Sequence, residues 1–158
     1  MDMPNMSTVA QAGATQLRGD FVLLRADTLH LLLPQRDVKA TEYRESVPTP
    51  GVERGVFGLE TADGQQRPVA ALSASMALLE VFPMKRFLLT RMEGDERGLA
   101  LAWNEVRVLI DATLMVQPLP AILQGARCVA DAYVELDGEL AFCTTARRVW
   151  AETASVPE

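Results

Sequence analysis

Residues 58–72 read GLETADGQQRPVAAL, and this stretch says more about the fold than any other part of the 158-residue chain. Asp63-Gly64 supplies two residues that readily take positive φ in a tight hairpin turn. Pro68 has no N–H to donate to a central ladder, so the second strand should begin at a sheet edge or a barrel rim. The stretch therefore predicts two antiparallel strands joined by a polar turn.

Three more polar turn signals lie between apolar segments of strand length: Ala26-Asp27, residues 93–96 and Asp137-Gly138. Together with Asp63-Gly64 they predict four hairpins. For the last hairpin, a two-residue loop at Asp137-Gly138 would place Ala132 opposite Cys143. Helices are few and short in this pattern, which excludes a parallel α/β sheet with its crossover helices.

Several of these strands are apolar on both faces. In the last hairpin, Ala132, Val134 and Leu136 share one side, whereas Tyr133 faces Phe142 on the other. An open sheet with one wet face does not need this pattern, but small closed barrels that pack against each other do. The residues thus predict a mainly β protein of small packed barrels.

Three other segments have residue patterns that predict their local secondary structure. Apolar residues at helical spacing predict a short helix over residues 73–82, ended by Pro83. Two prolines and a glycine predict a loop without regular pairing over residues 46–51. Thr144 or Thr145 is expected to cap a closing helix that runs to Trp150.

Bulk composition limits the class of protein. Hydrophobic residues make up 49%, and no apolar run approaches the roughly 20 residues of a membrane helix. The formal net charge of −6, without a basic stripe, makes nucleic acid a poor partner.

We expect one domain over residues 20–152, with a flexible N-terminal tail at 1–19 and a C-terminal tail at 153–158. Residues 1–19 have no basic opening or continuous apolar segment, so a cytoplasmic location is expected.

The two cysteines are not expected to pair. In the register of the last hairpin, Cys128 lies four residues away from the position opposite Cys143. That offset is about 13 Å at the usual rise per strand residue, beyond the Cα separation of a disulfide. Two buried thiols in a reducing compartment are the better interpretation.

The sequence contains few residues in patterns that could carry out catalysis. His30, the single histidine, lies within an apolar run and is interpreted as a strand residue. The chain has no metal-ligand spacing, glycine-rich phosphate loop or nucleophile elbow, so neither a metal, a cofactor nor an enzymatic activity is expected. Paired acidic residues such as Glu42 and Glu45 are interpreted as solvated faces.

The framework of residues 58–72 resembles the signature of the CheW-like coupling domain of bacterial chemosensory systems. The matching positions are Gly58, Gly64, Pro68, Val69 and Leu72, whereas Asp63 stands where the family usually has arginine. Residues 100–106, 117–120 and 137–142 resemble further family motifs in the same order, so the resemblance runs from about Phe21 to Trp150.

This resemblance implies two five-stranded β-barrel lobes around a shared apolar seam, with a few short helices. It also implies a non-enzymatic adaptor that binds the regulatory domain of a CheA-type histidine kinase, a chemoreceptor, or both. The pathway could be chemotaxis, a type IV pilus or surface sensing, and the oligomeric state is left open. The candidate partner-binding residues are Asp63, Gln65 and Arg67 at the hairpin, and Glu42 and Arg44 on the preceding polar strand.

Two alternatives are left open. Solvated turn polarity would also explain these five residues without any partner. A small-ligand sensor, with an apolar compound held in the seam between the barrels, would also explain the apolar residues on both strand faces. A filled seam without a cavity of ligand size would exclude the second alternative.

Overall fold

A computed structural model describes residues 14–51, 53–60, 64–94, 98–120, 130 and 132–154. Asp63 and Cys128 therefore lie outside the described residues. The strands are β1 (Thr15–Ala26), β2 (Leu29–Pro34), β3 (Val38–Arg44), β4 (Thr49–Pro50), β5 (Phe57–Glu60), β6 (Gln66–Ala71), β7 (Phe87–Met92), β8 (Ala100–Trp103), β9 (Glu105–Pro118), β10 (Ala132–Leu136) and β11 (Glu139–Cys143). A 3₁₀ turn spans Gln35–Asp37, and the helix α1 spans Ala146–Ala154.

The first lobe is a closed five-stranded barrel in the order β1-β2-β11-β10-β9. Backbone ladders close it on every side, and β1 returns onto the 14-residue strand β9. Strands β2 and β11 run parallel at Leu31 and Phe142, whereas the other neighbours run antiparallel. The lobe thus combines the first two strands with the last three.

The second lobe is a six-stranded sheet in the order β3-β7-β8-β6-β5-β4. Its end strands are joined by residues 45–48, which can span at most about 18 Å between Arg44 and Thr49. The outer strands of a flat six-stranded sheet would lie about 24 Å apart. The sheet must therefore curl, which brings its end strands β3 and β4 towards each other.

Apolar residues on both strand faces have a direct explanation in this arrangement. In β2, Leu32 packs inside the first lobe, while Leu31 and Leu33 pack on the other face in a core shared with the second lobe. In β8, Ala102 packs inside the second lobe, while Trp103 faces the shared core. The predicted mainly β fold with two lobes and an apolar seam is confirmed.

The hairpin predictions hold where the structure describes them. Asp137 and Gly138 both have positive φ, and the register pairs Leu136 with Glu139 and Ala132 with Cys143 as expected. The β7–β8 and β1–β2 hairpins also form, although the first turn lies one residue later, at Asp27-Thr28. At Pro68, strand β6 has β5 as its neighbour but has not yet begun its ladder with β8, which fits a rim position.

The predicted helix over residues 73–82 is wrong. The Ser73 hydroxyl accepts the backbone N–H groups of Ser75 and Ala77, and the Ser73 N–H donates to the Ala77 carbonyl. This local alternative competes with helical hydrogen bonds. Met76 adopts a φ of 70°, outside the helical range, and buries its side chain in the shared core. The segment is a tight loop with a bridge between Leu72 and Leu78.

Two boundary expectations also need correction. Strand β1 begins at Thr15 and pairs Thr15 with Val116, so residues 15–19 belong to the first lobe rather than to a tail. Helix α1 runs to Ala154, beyond the expected boundary at 152. Residues 49 and 50, predicted as loop, pair with Gly58 and Phe57, because an end strand tolerates the missing N–H of Pro50.

The expected cap of the closing helix is confirmed. The Thr145 hydroxyl accepts the backbone N–H of Arg148 at 3.3 Å, three residues into the helix. A second acceptor comes from the 3₁₀ turn, where Asp37 Oδ2 accepts the N–H of Ala146 at 2.9 Å. Both contacts satisfy donors at the helix start and hold α1 over the shared core, where Val149 is fully buried.

Candidate interaction surface

Three of the predicted binding residues meet at one end of the second lobe. Glu42 on β3 lies between two arginines, with its Oε2 3.1 Å from Arg44 Nη1 and its Oε1 3.1 Å from Arg67 Nη1. Arg44 also donates from Nη2 to the Glu60 carbonyl oxygen at 2.7 Å. We call Glu42, Arg44 and Arg67 the closure cluster, because their side chains join β3 to β5 and β6 where the backbone forms no ladder among the described strands.

Strand register explains why these charged residues converge. Glu42 is paired with Leu89, Arg44 with Phe87, and Leu59 with Arg67. Paired residues of antiparallel strands share a face of the sheet. Leu59, Phe87 and Leu89 form the inner core of the second lobe, so the closure cluster lies on the inner face, at the open end of that core.

The closure cluster is half-buried and carries a net positive charge. The exposed side-chain fractions are 21% for Arg44, 29% for Arg67 and 46% for Glu42. Two guanidinium groups share one carboxylate, so one positive charge remains uncompensated within the cluster. A planar guanidinium has five N–H donors. This end of the lobe can therefore accept a further anionic or carbonyl group from a partner.

The other two predicted residues behave differently. Gln65 is exposed at the same hairpin, next to Gln66 of β6, and Asp63 lies outside the described residues. The structure joins Glu42 and Arg44 of the preceding polar strand directly to Arg67 of the hairpin. Sequence reasoning missed the Glu60 carbonyl because a backbone acceptor leaves no signal in residue type.

An open cavity of about 690 Å³ lies beside the closure cluster. Residues of β4, β5 and β6 line it, Arg67 among them, together with Leu99 and the loop that precedes β5. A second open space of about 440 Å³ lies at the 3₁₀ turn, where Asp20, Pro34 and Arg36 line it.

Buried side chains pack the centre of the seam between the lobes, where an apolar ligand was an alternative. A cavity of about 290 Å³ opens at the edge of the seam, lined by Ala26, Leu72 and Asn104 among others.

His30 joins two strands of the first lobe. Its Nε2 lies 3.1 Å from Glu139 Oε1, and its Nδ1 lies 3.3 Å from the Thr28 carbonyl oxygen. Its side chain is 13% exposed, so it is a nearly buried strand residue at the junction of β2 and β11. Across the part of the chain that the structure describes, no three His, Cys, Asp or Glu residues form a group that could hold a metal ion.

The indole of Trp103 and the thiol of Cys143 are both held within the protein interior or close to it. Trp103 is fully buried and donates from Nε1 to the Thr90 hydroxyl at 2.8 Å. Burial raises the pKa of the Cys143 thiol to about 11. The predicted absence of a disulfide between Cys128 and Cys143 involves Cys128, which lies outside the described residues. No helix within the described ranges is long and apolar enough to cross a membrane.

Comparisons with known proteins identify the architecture. No protein-family model matches the chain, and no curated protein matches it in sequence. Among solved structures, it is similar to the scaffolding protein TtCheW from Thermoanaerobacter tengcongensis, with a TM-score of 0.51 and 13% identity. The match covers 80% of this chain and 88% of the other. The chain therefore has a divergent CheW-like fold.

Proposed function

We propose that the chain is a non-enzymatic adaptor in a bacterial chemosensory complex. It binds the regulatory domain of a CheA-type histidine kinase, a chemoreceptor, or both, through surfaces of its two lobes. The observation that carries this proposal is the fold, which it shares over 80% of its length with a scaffolding protein. The complex is cytoplasmic and serves chemotaxis, a type IV pilus or surface sensing.

The closure cluster and the adjacent hairpin form the proposed docking surface. Arg44 and Arg67 are held in place by Glu42, so little side-chain entropy is lost when a partner binds them. Arginine is enriched among residues that dominate binding energy at interfaces. Asp63 and Gln65 extend the surface along the hairpin, with Asp63 in place of the arginine that CheW-like proteins usually carry there.

A second exposed face is available on the first lobe. Val108 and Ile110 lie on the same side of β9 and are 48% and 63% exposed. They continue outward from Val106, which packs against the shared core. An adaptor that links two proteins needs two separate faces, and this apolar strip is the candidate for the second one.

The test is capture of purified kinase regulatory domains by the immobilised chain. We expect Arg67→Glu to reduce affinity for the cognate domain by at least about 30-fold, because it reverses the charge at the centre of the surface. Asp63→Arg is expected to alter the same affinity. Arg18→Glu is the matched control, since Arg18 is exposed on the first lobe and pairs with Asp111.

Circular dichroism of each variant separates lost binding from lost folding. Failure of every CheA-type regulatory domain and every receptor signalling domain of the host to bind would refute the adaptor function. Equal losses for Arg67→Glu and Arg18→Glu would leave the adaptor function in place but refute the assigned surface.

A further inference from the structure

The cavity beside the closure cluster has a floor formed by one row of residues across three strands. Its volume of about 690 Å³ falls within the range of about 300–1,000 Å³ that ligand pockets occupy. Gly58 of β5 is paired with Thr49 of β4 on one side and with Pro68 of β6 on the other, and all three line the cavity. Paired residues of antiparallel strands share a face of the sheet. Because the central residue has no side chain, the row forms a notch in that face.

The side chain of Gln66 lies over this notch. Gln66 is two residues before Pro68 on β6, so the two residues share a face of the sheet. A Cβ atom on Gly58 would lie 2.6 Å from Gln66 Oε1 and 3.7 Å from Thr49 Oγ1, so the glycine leaves room for the amide. Within the described part of the chain, this amide has no hydrogen-bond partner. Its N–H groups and its oxygen are therefore available to a ligand.

Neither charged residue of the lining offers a counter-charge to a ligand. Arg67 is paired with Leu59, which packs in the inner core of the second lobe, so the Arg67 side chain lies on the face opposite to the notch. There, Arg67 Nη1 contacts Glu42 Oε1 at 3.1 Å. Glu53 also has an interaction partner. An ionised ligand would lose hydration in the cavity without gaining an opposite charge, so the cavity favours an uncharged ligand.

The other groups of the lining are uncharged polar groups and apolar side chains. Thr49 Oγ1 donates to the Gly58 carbonyl oxygen at 3.4 Å and keeps its lone pairs for a further donor. Val56 and Pro68 are half-buried and line the cavity, together with the buried Leu99. A lining of this kind fits a molecule with an apolar body and one polar group that both donates and accepts hydrogen bonds.

We infer that this cavity binds an uncharged carboxamide with an apolar alkyl or aryl body. The carboxamides of the ligand and of Gln66 exchange two hydrogen bonds, with N–H donating to carbonyl oxygen in each direction. The apolar body lies against Val56, Pro68 and Leu99. Binding to the isolated chain does not depend on the adaptor function, so either idea can fail without the other.

The test compares three ligands that share a phenylpropyl body: 4-phenylbutanamide, the methyl ketone 5-phenylpentan-2-one and 4-phenylbutanoate. An amide-resolved NMR titration of the full chain should detect 4-phenylbutanamide, with the largest shifts at Gly58, Gln66 and Leu99. The ketone should bind at least about 5-fold more weakly, because a methyl group replaces the NH₂ donor. The carboxylate should also bind at least about 5-fold more weakly, because it is desolvated without a counter-charge. This comparison changes the ligand alone, so it cannot be confused with misfolding.

Two variants assign the site. Gln66→Met keeps the length of the side chain but removes the amide, so 4-phenylbutanamide should bind about 5- to 10-fold more weakly and lose its advantage over the ketone. Gly58→Ala should have the same effect, because its Cβ would displace the Gln66 amide. Gln16→Met, at an exposed glutamine of the first lobe, is the matched control and should change neither affinity.

Four results would each overturn the inference. They are no binding of 4-phenylbutanamide at about 5 mM, equal affinity for the carboxamide and the ketone, tighter binding of the carboxylate, and an unchanged preference for the carboxamide in Gln66→Met.

Discussion

The two lobes have similar strand arrangements but are closed by different interactions. Among the described strands, each lobe contains one parallel pair, β2 with β11 in the first and β6 with β8 in the second. Backbone hydrogen bonds close the first lobe all the way round. In the second lobe, β3 and β5 are joined by the side chains of the closure cluster and by the short strand β4.

This difference predicts which lobe tolerates side-chain substitutions better. A backbone ladder forms with almost any side chains, whereas an ion-pair closure depends on three particular residues. The second lobe should therefore be the more sensitive to charge substitutions, and its open end the more available to partners. Five predictions concern the stability of the two lobes, beginning with the largest expected effect on the free energy of unfolding.

Leu24→Ala should destabilise the whole protein by about 2–5 kcal/mol, because it leaves a cavity in a tightly packed core. Leu24 lies on β1 of the first lobe but is fully buried in the core shared with the second. We expect a single urea transition, detected alike by far-ultraviolet circular dichroism and tryptophan fluorescence. Two separate transitions would mean that the lobes unfold independently. Val81→Ala, at an exposed position, is the control.

Glu42→Lys should cost about 1–2 kcal/mol, since it removes two ion pairs and places a third cation beside two arginines. Glu105→Lys is a matched control, because Glu105 and Glu42 are both 46% exposed and Glu105 pairs with Arg25 at 3.0 Å in the first lobe. We expect the control to cost less than about 1 kcal/mol. Urea unfolding measures both, and equal costs would contradict the proposed difference in closure.

Hydrogen exchange localises the effect of Glu42→Lys. Amides of β5 should exchange faster in this variant, whereas amides at the centre of β1 should keep their protection because they are bonded to β2 and β9. Faster exchange throughout both lobes would indicate global destabilisation instead of local opening at the closure cluster.

Stability should fall as the pH rises from about 9 to 11 because of Cys143. Its pKa is raised from 9.0 to about 11 by burial, so folding favours the neutral thiol, and this contribution is lost as pH rises through that range. The effect is at most about 1 kcal/mol at pH 10, allowing for solvent screening. Urea titrations at several pH values should show a smaller slope for Cys143→Ala than for its parent, both carrying Cys128→Ala. Identical slopes would contradict the burial.

Arg18→Gln should change the free energy of unfolding by less than about 0.5 kcal/mol. Arg18 makes a two-point contact with Asp111, at 3.0 and 3.3 Å, but both side chains are about 70% exposed. The backbone ladder between β1 and β9 already joins these strands. A thermal unfolding scan that showed a loss as large as that of Glu42→Lys would contradict backbone closure of the first lobe.

Hairpins were the part of the fold that sequence could specify. The Asp137-Gly138 turn fixes the register of β10 and β11, because positive φ at both residues permits one compact geometry. The helix over residues 73–82 failed because periodicity alone does not reveal that the Ser73 hydroxyl captures the following N–H groups. Similarly, loop composition at residues 46–51 concealed the end strand β4.

The candidate site was predictable by residue type but not by arrangement. Glu42, Arg44 and Arg67 stand out as polar residues of strands and turns. Their convergence depends on the curl of the second sheet, which comes from contacts between segments far apart in sequence. Alternation along β3 gave no reason to place Glu42 and Arg44 on the inner face, opposite Leu89 and Phe87.

The position of β3 to β8 between the two halves of the first barrel has a consequence for synthesis. Strands β1 and β2 leave the ribosome early, but the partners that enclose them, β9 and β11, are translated after the entire second lobe. Until then, the apolar inner face of β1 has no barrel around it. We expect the second lobe to form first and to cover the outer face of β2, so that the last strands assemble against it.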